Sequence, residues 1–214
     1  GAESVRQTVE KAVELGLEYL TLYAFSLGNW SRPREEVHGL MQLLVDFARA
    51  ERERLLKNGV RVQVIGQFGD LPDTTQQAVR DLMQATAHCS KTTLSLALSY
   101  GGRQDTVTAA RAVAEKIARG ELSPEDVDEA TLRAHMSTAN LPDVDLLIRT
   151  SGECRLSDFL LLEAAYAELM FLPVMWPDFG GRELAAAVET FMGRERRFGM
   201  TSEQLHLRAV SAGI

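Results

Sequence analysis

The sequence predicts an α/β fold, a single domain with a mainly parallel central sheet flanked by helices. Three observations carry this. Apolar stretches of strand length alternate with helix-patterned stretches of ten residues or more, and such crossovers build a parallel sheet covered on both faces. The runs at Val60–Ile65 and Thr92–Leu98 are rich in β-branched residues and Leu, as buried strands are. Three strand ends run into clusters of Gly, Arg and hydroxyl residues, the place where open α/β sheets bind ligands.

Taken in order, residues 1–16 read as a helix, with Val5, Val9, Ala12 and Val13 at helical spacing and Gly16 as the stop. Glu18–Phe25 reads as a strand, followed by a polar loop from Ser26 to Arg32. Pro33, with Glu35 and Glu36 behind it, opens a long helix that runs to Asn58 and stops at Gly59. The strand Val60–Ile65 comes next, then a loop over 67–72 and a helix over Asp73–His88. The strand Thr92–Leu98 ends in Tyr100-Gly101-Gly102-Arg103 and leads to a helix over Asp105–Arg119. Short helices are expected from Ser123-Pro124 and over Ala130–Ser137. Val144–Ile148 reads as a buried strand and Phe159–Leu169 as a helix, with Ser157 as its N-cap and Asp158 in its first turn. Met170–Val174 is an expected edge segment, and Gly181–Arg196 the last helix. Residues 1–199 form the expected domain, and 200–214 a loosely ordered tail.

A net charge of −7 argues against broad nucleic-acid binding, which needs a basic face, yet leaves room for a small arginine-lined pocket. Two cysteines, Cys89 and Cys154, give neither a disulfide framework nor metal-ligand spacing, which fits a reducing, cytoplasmic setting. No apolar stretch approaches the roughly 20 residues of a membrane span. The histidines His38, His88, His135 and His206 are scattered without ligand spacing. There is no P-loop, no dinucleotide-binding glycine fingerprint and no nucleophile elbow.

The chemistry concentrates in the loop Arg149-Thr150-Ser151-Gly152-Glu153-Cys154-Arg155-Leu156-Ser157 between the predicted strand and the predicted helix. A helix N-terminus offers free N–H groups and partial positive charge. Arg149 and Arg155 add bidentate donors, so the loop reads as a phosphate or diphosphate cradle. Ser26 and Asn29 read equally well as turn formers, and Trp30 as a packing anchor. Arg32 precedes Pro33, where it makes a poor cap and its side chain is free for another task. Glu168 is either a hard-cation ligand or an exposed carboxylate.

Five segments together resemble the cis-prenyltransferases: Phe25-Ser26-Leu27-Gly28-Asn29-Trp30-Ser31-Arg32-Pro33, Tyr100-Gly101-Gly102-Arg103, Ile148 to Leu161, Tyr166-Ala167-Glu168-Leu169 and Trp176-Pro177-Asp178-Phe179. The resemblance runs from Gly1 to about Gly199 and is closest to enzymes of the undecaprenyl diphosphate synthase type. It implies a transferase that uses Mg²⁺ to condense isopentenyl diphosphate with an allylic diphosphate such as farnesyl diphosphate. The product would be a Z-polyprenyl diphosphate such as undecaprenyl diphosphate, the lipid carrier of cell-wall synthesis. On this resemblance Arg149, Arg155 and Ser157 hold the isopentenyl diphosphate, and Glu168 is a Mg²⁺ ligand. Asn29 stands where the family's proton acceptor is assigned, with Ser26, Trp30 and Arg32 along the substrate site. An amide is a weak base, so Asn29 is expected to orient the group that loses its proton, with a diphosphate oxygen as acceptor. Leu40, Leu43, Leu44, Phe47, Val79, Leu82 and Met83 are either tunnel lining for the growing chain or ordinary core. The apolar segment from Tyr166 to Val174 with Trp176 resembles the family's dimer-forming region, implying a homodimer, with transient contact with the membrane surface that takes up the product.

The sequence departs from the family in lacking an Asp-Gly-Asn-Gly-Arg-Trp loop, which carries a metal-binding Asp and follows a first strand. That strand and loop are expected before Gly1, and the 214 residues alone are expected to turn over poorly. Gly28 stands where many members carry Glu, and Asp158 where many carry Asn. The alternative is a non-catalytic partner subunit of a heteromeric prenyltransferase; the retained Arg149, Arg155, Ser157 and Asn29 weigh against it.

Overall fold

The computed structural model describes residues 1–194. Its elements run α1 (Ala2–Glu14), β1 (Tyr19–Ser26), α2 (Arg34–Ala50), α3 (Arg52–Asn58), β2 (Val60–Ile65), α4 (Asp73–Thr86), β3 (Thr92–Tyr100), α5 (Gly102–Ala118), α6 (Glu129–Arg133), β4 (Leu146–Arg149), β5 (Glu168–Phe171) and α7 (Gly181–Met192). Short 3₁₀ turns occupy Leu27–Ser31, Phe68–Asp70, Pro124–Asp126 and Trp176–Asp178. Every strand pairing is parallel. The strands form two sheets, one ordered β1-β3-β2 and one of β4-β5, where the sequence predicts one.

β3 is the middle strand and the most buried, which explains its near-continuous apolar run. Leu94, Leu96 and Leu98 pack into the main core with Phe25, Met41, Val45, Val79 and Leu82, beneath α2 and α4. Ala97, Ile65, Tyr100 and Leu160 make a second cluster. A third, around Ala12, Phe179 and Leu184, joins α1 and α7 and takes in Leu20 of β1 and Ile148 of β4. Strict alternation would put Tyr100 on the Leu94–Leu98 face. Ser99, at φ 48°, breaks it: Phe25 pairs with Leu98 and Ser26 with Tyr100, so Ser99 is extruded as a bulge. Gly66, at φ 103°, passes so close to the Leu98 carbonyl that no side chain fits there.

Two expected elements are corrected. The long helix breaks at Glu51, a residue 5% exposed whose carboxylate accepts from Arg6 of α1 at 2.6 Å and pairs with Arg54. Holding that buried carboxylate against α1 turns the chain between α2 and α3. Phe159–Leu169 is a succession of turns followed by the start of β5. Ser157 (φ 52°), Asp158 (φ 65°) and Leu160 (φ 46°) are left-handed, so Ser157 caps no helix. Met170–Val174, expected at an edge, contributes Met170 and Phe171 to β5, which is an edge strand because it pairs only with β4, while 172–174 follow it as loop. Of the last expected helix, α7 ends at Met192. The part to Arg196 and the tail 200–214 lie outside the described residues.

Candidate active site

The loops that follow β1, β3 and β4 meet, as a shared carboxyl rim requires. At the first, Asn29 reaches back across the turn Leu27–Ser31 to cap Ser26. The Ser26 N–H donates to Asn29 Oδ1 at 2.9 Å. An N–H can only donate to the carbonyl end of the amide, so the orientation is fixed and the free end of Asn29 is its Nδ2 donor. The Trp30 ring meets Phe25 edge-on at 4.9 Å between centroids, and its Nε1 donates to Ser99 Oγ at 2.8 Å. Arg32, exposed, pairs with Glu36 one helical turn on, at 2.7 Å.

The second and third loops are locked by Asp158. Gly102 N–H donates to the Asp158 carbonyl at 2.7 Å, and Arg103 N–H to the Asp158 carboxylate at 3.1 Å. The Arg103 guanidinium reaches the same oxygen at 3.2 Å, forming an ion pair. Asp158 therefore caps α5 from another part of the chain, supplying negative charge where a helix N-terminus favours it. The sequence shows Gly101-Gly102 only as turn formers. A Cβ on Gly101 would sit 2.6 Å from Asp158 Oδ2, and one on Gly102 3.0 Å from Leu161 Cγ. The pair is needed for close approach.

Tyr23 is a contact that the sequence does not flag, because it reads as one aromatic among several on β1. Its hydroxyl donates to the Tyr100 carbonyl at 3.0 Å and lies 3.4 Å from the Ser157 carbonyl. Its ring stacks on Phe159 at 4.4 Å. Burial, with the nearby Asp158 charge, pushes its phenol up to about 12, so it stays a neutral donor. Tyr23 thus staples the third loop to β1.

Arg149 closes β4. Its Nε is buried and has no hydrogen-bond partner among the described residues. A buried guanidinium N–H without an acceptor costs free energy that an anion would recover. Arg155 is exposed and paired only with Glu153 in its own loop, and Ser157 is exposed. These three lie on one short stretch within which no helix begins. Glu168 lies elsewhere. It pairs in register with Leu146, at the far end of β4 from Arg149, and its Oε2 accepts from Arg194 at 2.8 Å. Three residues of strand separate the two ends, about 10 Å. Among the described residues no three His, Cys, Asp or Glu side chains converge on a metal-sized site. Glu168 alone therefore makes no closed metal site.

Leu40, Leu44, Phe47 and Met83 pack against the main core, Val79 and Leu82 belong to it, and Leu43 faces outward with 61% exposure. A cleft of about 370 Å³ opens beside them, lined by Ala48, Ala78 and Leu82 with Arg49, Arg52 and Asp81.

Comparison with known proteins shows the family and the fold. A family model described as "Putative undecaprenyl diphosphate synthase" matches residues 1–199. The ditrans,polycis-undecaprenyl-diphosphate synthase ((2E,6E)-farnesyl-diphosphate specific) of Vibrio cholerae is 45% identical over 205 residues, covering 96% of this chain and 82% of the relative. An isoprenyl transferase of Chlorobaculum tepidum is 44% identical over 210 residues, covering 98% of this chain and 79% of the relative. Among solved structures, lavandulyl diphosphate synthase from Lavandula x intermedia, in complex with dimethylallyl diphosphate, superposes with a TM-score of 0.89 at 35% identity, covering 92% of this chain and 86% of that one. The chain, matched by this family model over residues 1–199 and by these relatives over nearly its whole length, belongs to the undecaprenyl diphosphate synthase family of prenyltransferases.

Proposed function

We propose that the protein is a cis-prenyltransferase that condenses isopentenyl diphosphate with an allylic diphosphate, farnesyl diphosphate in the first turnover, and extends it to undecaprenyl diphosphate. The single observation that carries this reading is the buried, unpartnered Arg149 Nε, on the same short loop as the exposed Arg155 and on a chain of this family. Arg149 would grip the diphosphate of isopentenyl diphosphate from below. Arg155 would leave Glu153 for the better acceptor, and Ser157 would add a hydroxyl. Asn29, its carbonyl taken up by Ser26, is left as a donor and not a base. It would hold a diphosphate oxygen in place to receive the proton released as the new C–C bond forms. Ser26, Trp30 and Arg32 would line the same pocket.

Mg²⁺ belongs to the proposal through the substrate. This ion is commonly held by one or two carboxylates together with substrate phosphates, and when bound it would neutralise the departing diphosphate. Glu168 is the carboxylate offered, once released from Arg194. No helix among the described residues is long and apolar enough to cross a membrane. That suits a cytoplasmic enzyme which hands its product to a membrane surface. The exposed Tyr166, Leu169, Phe171 and Met175 support a homodimer through this face.

Labelled isopentenyl diphosphate, given to the full-length protein with farnesyl diphosphate and Mg²⁺, should enter a long polyprenyl product, and EDTA should stop it. Absence of incorporation by the full-length protein with every allylic primer tried would refute the enzyme reading.

A further inference from the structure

Three features of the carboxyl rim converge on one residue outside the family motifs discussed above. Ser99 is fully buried, left-handed at φ 48° and extruded from the β1–β3 ladder. A non-glycine residue held this way is uncommon and persists where its surroundings over-determine it. Here they do. The Ser99 carbonyl accepts from Gln67 N–H at 3.2 Å, its hydroxyl oxygen accepts from Trp30 Nε1 at 2.8 Å, and its hydroxyl proton points to Asp70 Oδ2 at 3.0 Å. An indole N–H can only donate and a carboxylate oxygen can only accept, so the relay has one polarity: Trp30 to Ser99 to Asp70. The bulge exists to re-aim this hydroxyl, a use for which bulges next to functional sites are known.

We propose that Asp70 and Ser99 are positioning residues that fix Trp30, and with it the Ser26–Arg32 turn, at the rim of the active site. Asp70 takes the hydroxyl proton, so the Ser99 oxygen must face the indole. Without Asp70 the hydroxyl is free to rotate and compete for other acceptors. The turn's remaining side-chain hydrogen bonds, Ser26 to Asn29, Ser31 to Gly28 and Arg32 to Glu36, shape it internally or tie it to the start of α2. The relay ties it to β3. Its kinetic consequence rests on the prenyltransferase reading; its geometry does not.

The test uses the Trp176→Phe protein as parent, in which Trp30 is the only tryptophan left of two. Ser99→Gly keeps the left-handed backbone at no steric cost and deletes the relay. Asp70→Ala deletes its acceptor, and Asp70→Asn keeps an accepting oxygen. Trp30 emission should shift, and its accessibility to acrylamide rise, in Ser99→Gly and Asp70→Ala but not in Asp70→Asn. In the same two variants kcat/KM should fall about tenfold, the factor for one lost buried hydrogen bond, with Asp70→Asn rescuing it. A melting temperature within a few degrees of the parent shows that folding is intact. Unchanged emission in all three variants would overturn the relay. Shifted emission with undiminished kcat/KM would overturn its role in the reaction. Absence of turnover in the full-length wild type, with Trp176 intact, would instead count against the prenyltransferase reading, and the emission data would still decide whether Asp70 positions Trp30.

Discussion

At the scale of single residues, the site is set by which end of each polar group is already used. Asn29 is the clearest case, because its carbonyl belongs to the Ser26 N–H and only its Nδ2 remains for substrate. Asn29→Asp keeps an acceptor for that N–H but removes the donor. It should fold normally by melting curve and lose kcat by about 10²-fold, the usual effect of deleting one donor aimed at developing charge. Undiminished kcat would show that Nδ2 contributes nothing. Asp105 makes a different point. It is 4% exposed, accepts from Ser137 N–H at 3.0 Å and Ser137 Oγ at 2.9 Å, and burial holds its carboxyl above the ordinary value of 3.8. The folded protein therefore binds this proton more tightly than the unfolded chain does. That contribution to stability is complete below the ordinary value and is lost as pH rises through the raised one. Urea midpoints of the wild type should consequently fall relative to Asp105→Asn as pH is raised from about 4 toward neutrality. Parallel curves would contradict this sign. Residue types and motifs showed the candidates in the sequence; the occupied end of an amide, or a buried acid, appears only when partners distant in sequence come together.

At the scale of elements, local patterns were legible where local forces decide. β2 lies over the predicted residues because a β-branched run between Gly59 and Gly66 has little alternative. α4 and α5 likewise lie within a few residues of expectation. The segment after Ser157 is the failure, and its cause is long-range. The Asp158 carbonyl and carboxylate cap α5, and the Glu163 carbonyl accepts from Val144 N–H at 2.8 Å. Meeting those partners takes the backbone away from the helix that its apolar spacing predicts. The docking depends on Gly101, whose extended φ of −160° any residue could adopt, so the requirement there is space alone. Gly101→Ala should push Asp158 off the α5 N-terminus and cost about 1–3 kcal/mol, or roughly 2–4 °C of melting temperature for each kcal/mol at this size. An unchanged melting temperature would show that the loop yields without strain.

At the scale of the whole molecule, the parallel architecture and the gathering of three loops on one rim followed from the order of strands and helices. The division into two sheets did not, since strand order is a property of pairings that no local pattern records. The exposed Tyr166, Leu169, Phe171 and Met175 lie within or beside the β4–β5 sheet, so a dimer through them would brace the element that ends in Arg149. Phe171→Glu should therefore convert a dimer to a monomer in light scattering and reduce turnover with it, whereas a mass that stays that of a dimer would move the interface elsewhere. The central claim is that Arg149, whose buried Nε has no hydrogen-bond partner, seats the diphosphate of isopentenyl diphosphate together with Arg155. Calorimetric titration of isopentenyl diphosphate into the wild type, Arg149→Met and Arg155→Met tests it most directly. Saturable binding to the wild type is expected, with a loss of about 1.5–3 kcal/mol, or some 10- to 150-fold in Kd, in each variant. Equal affinity in all three proteins would contradict it.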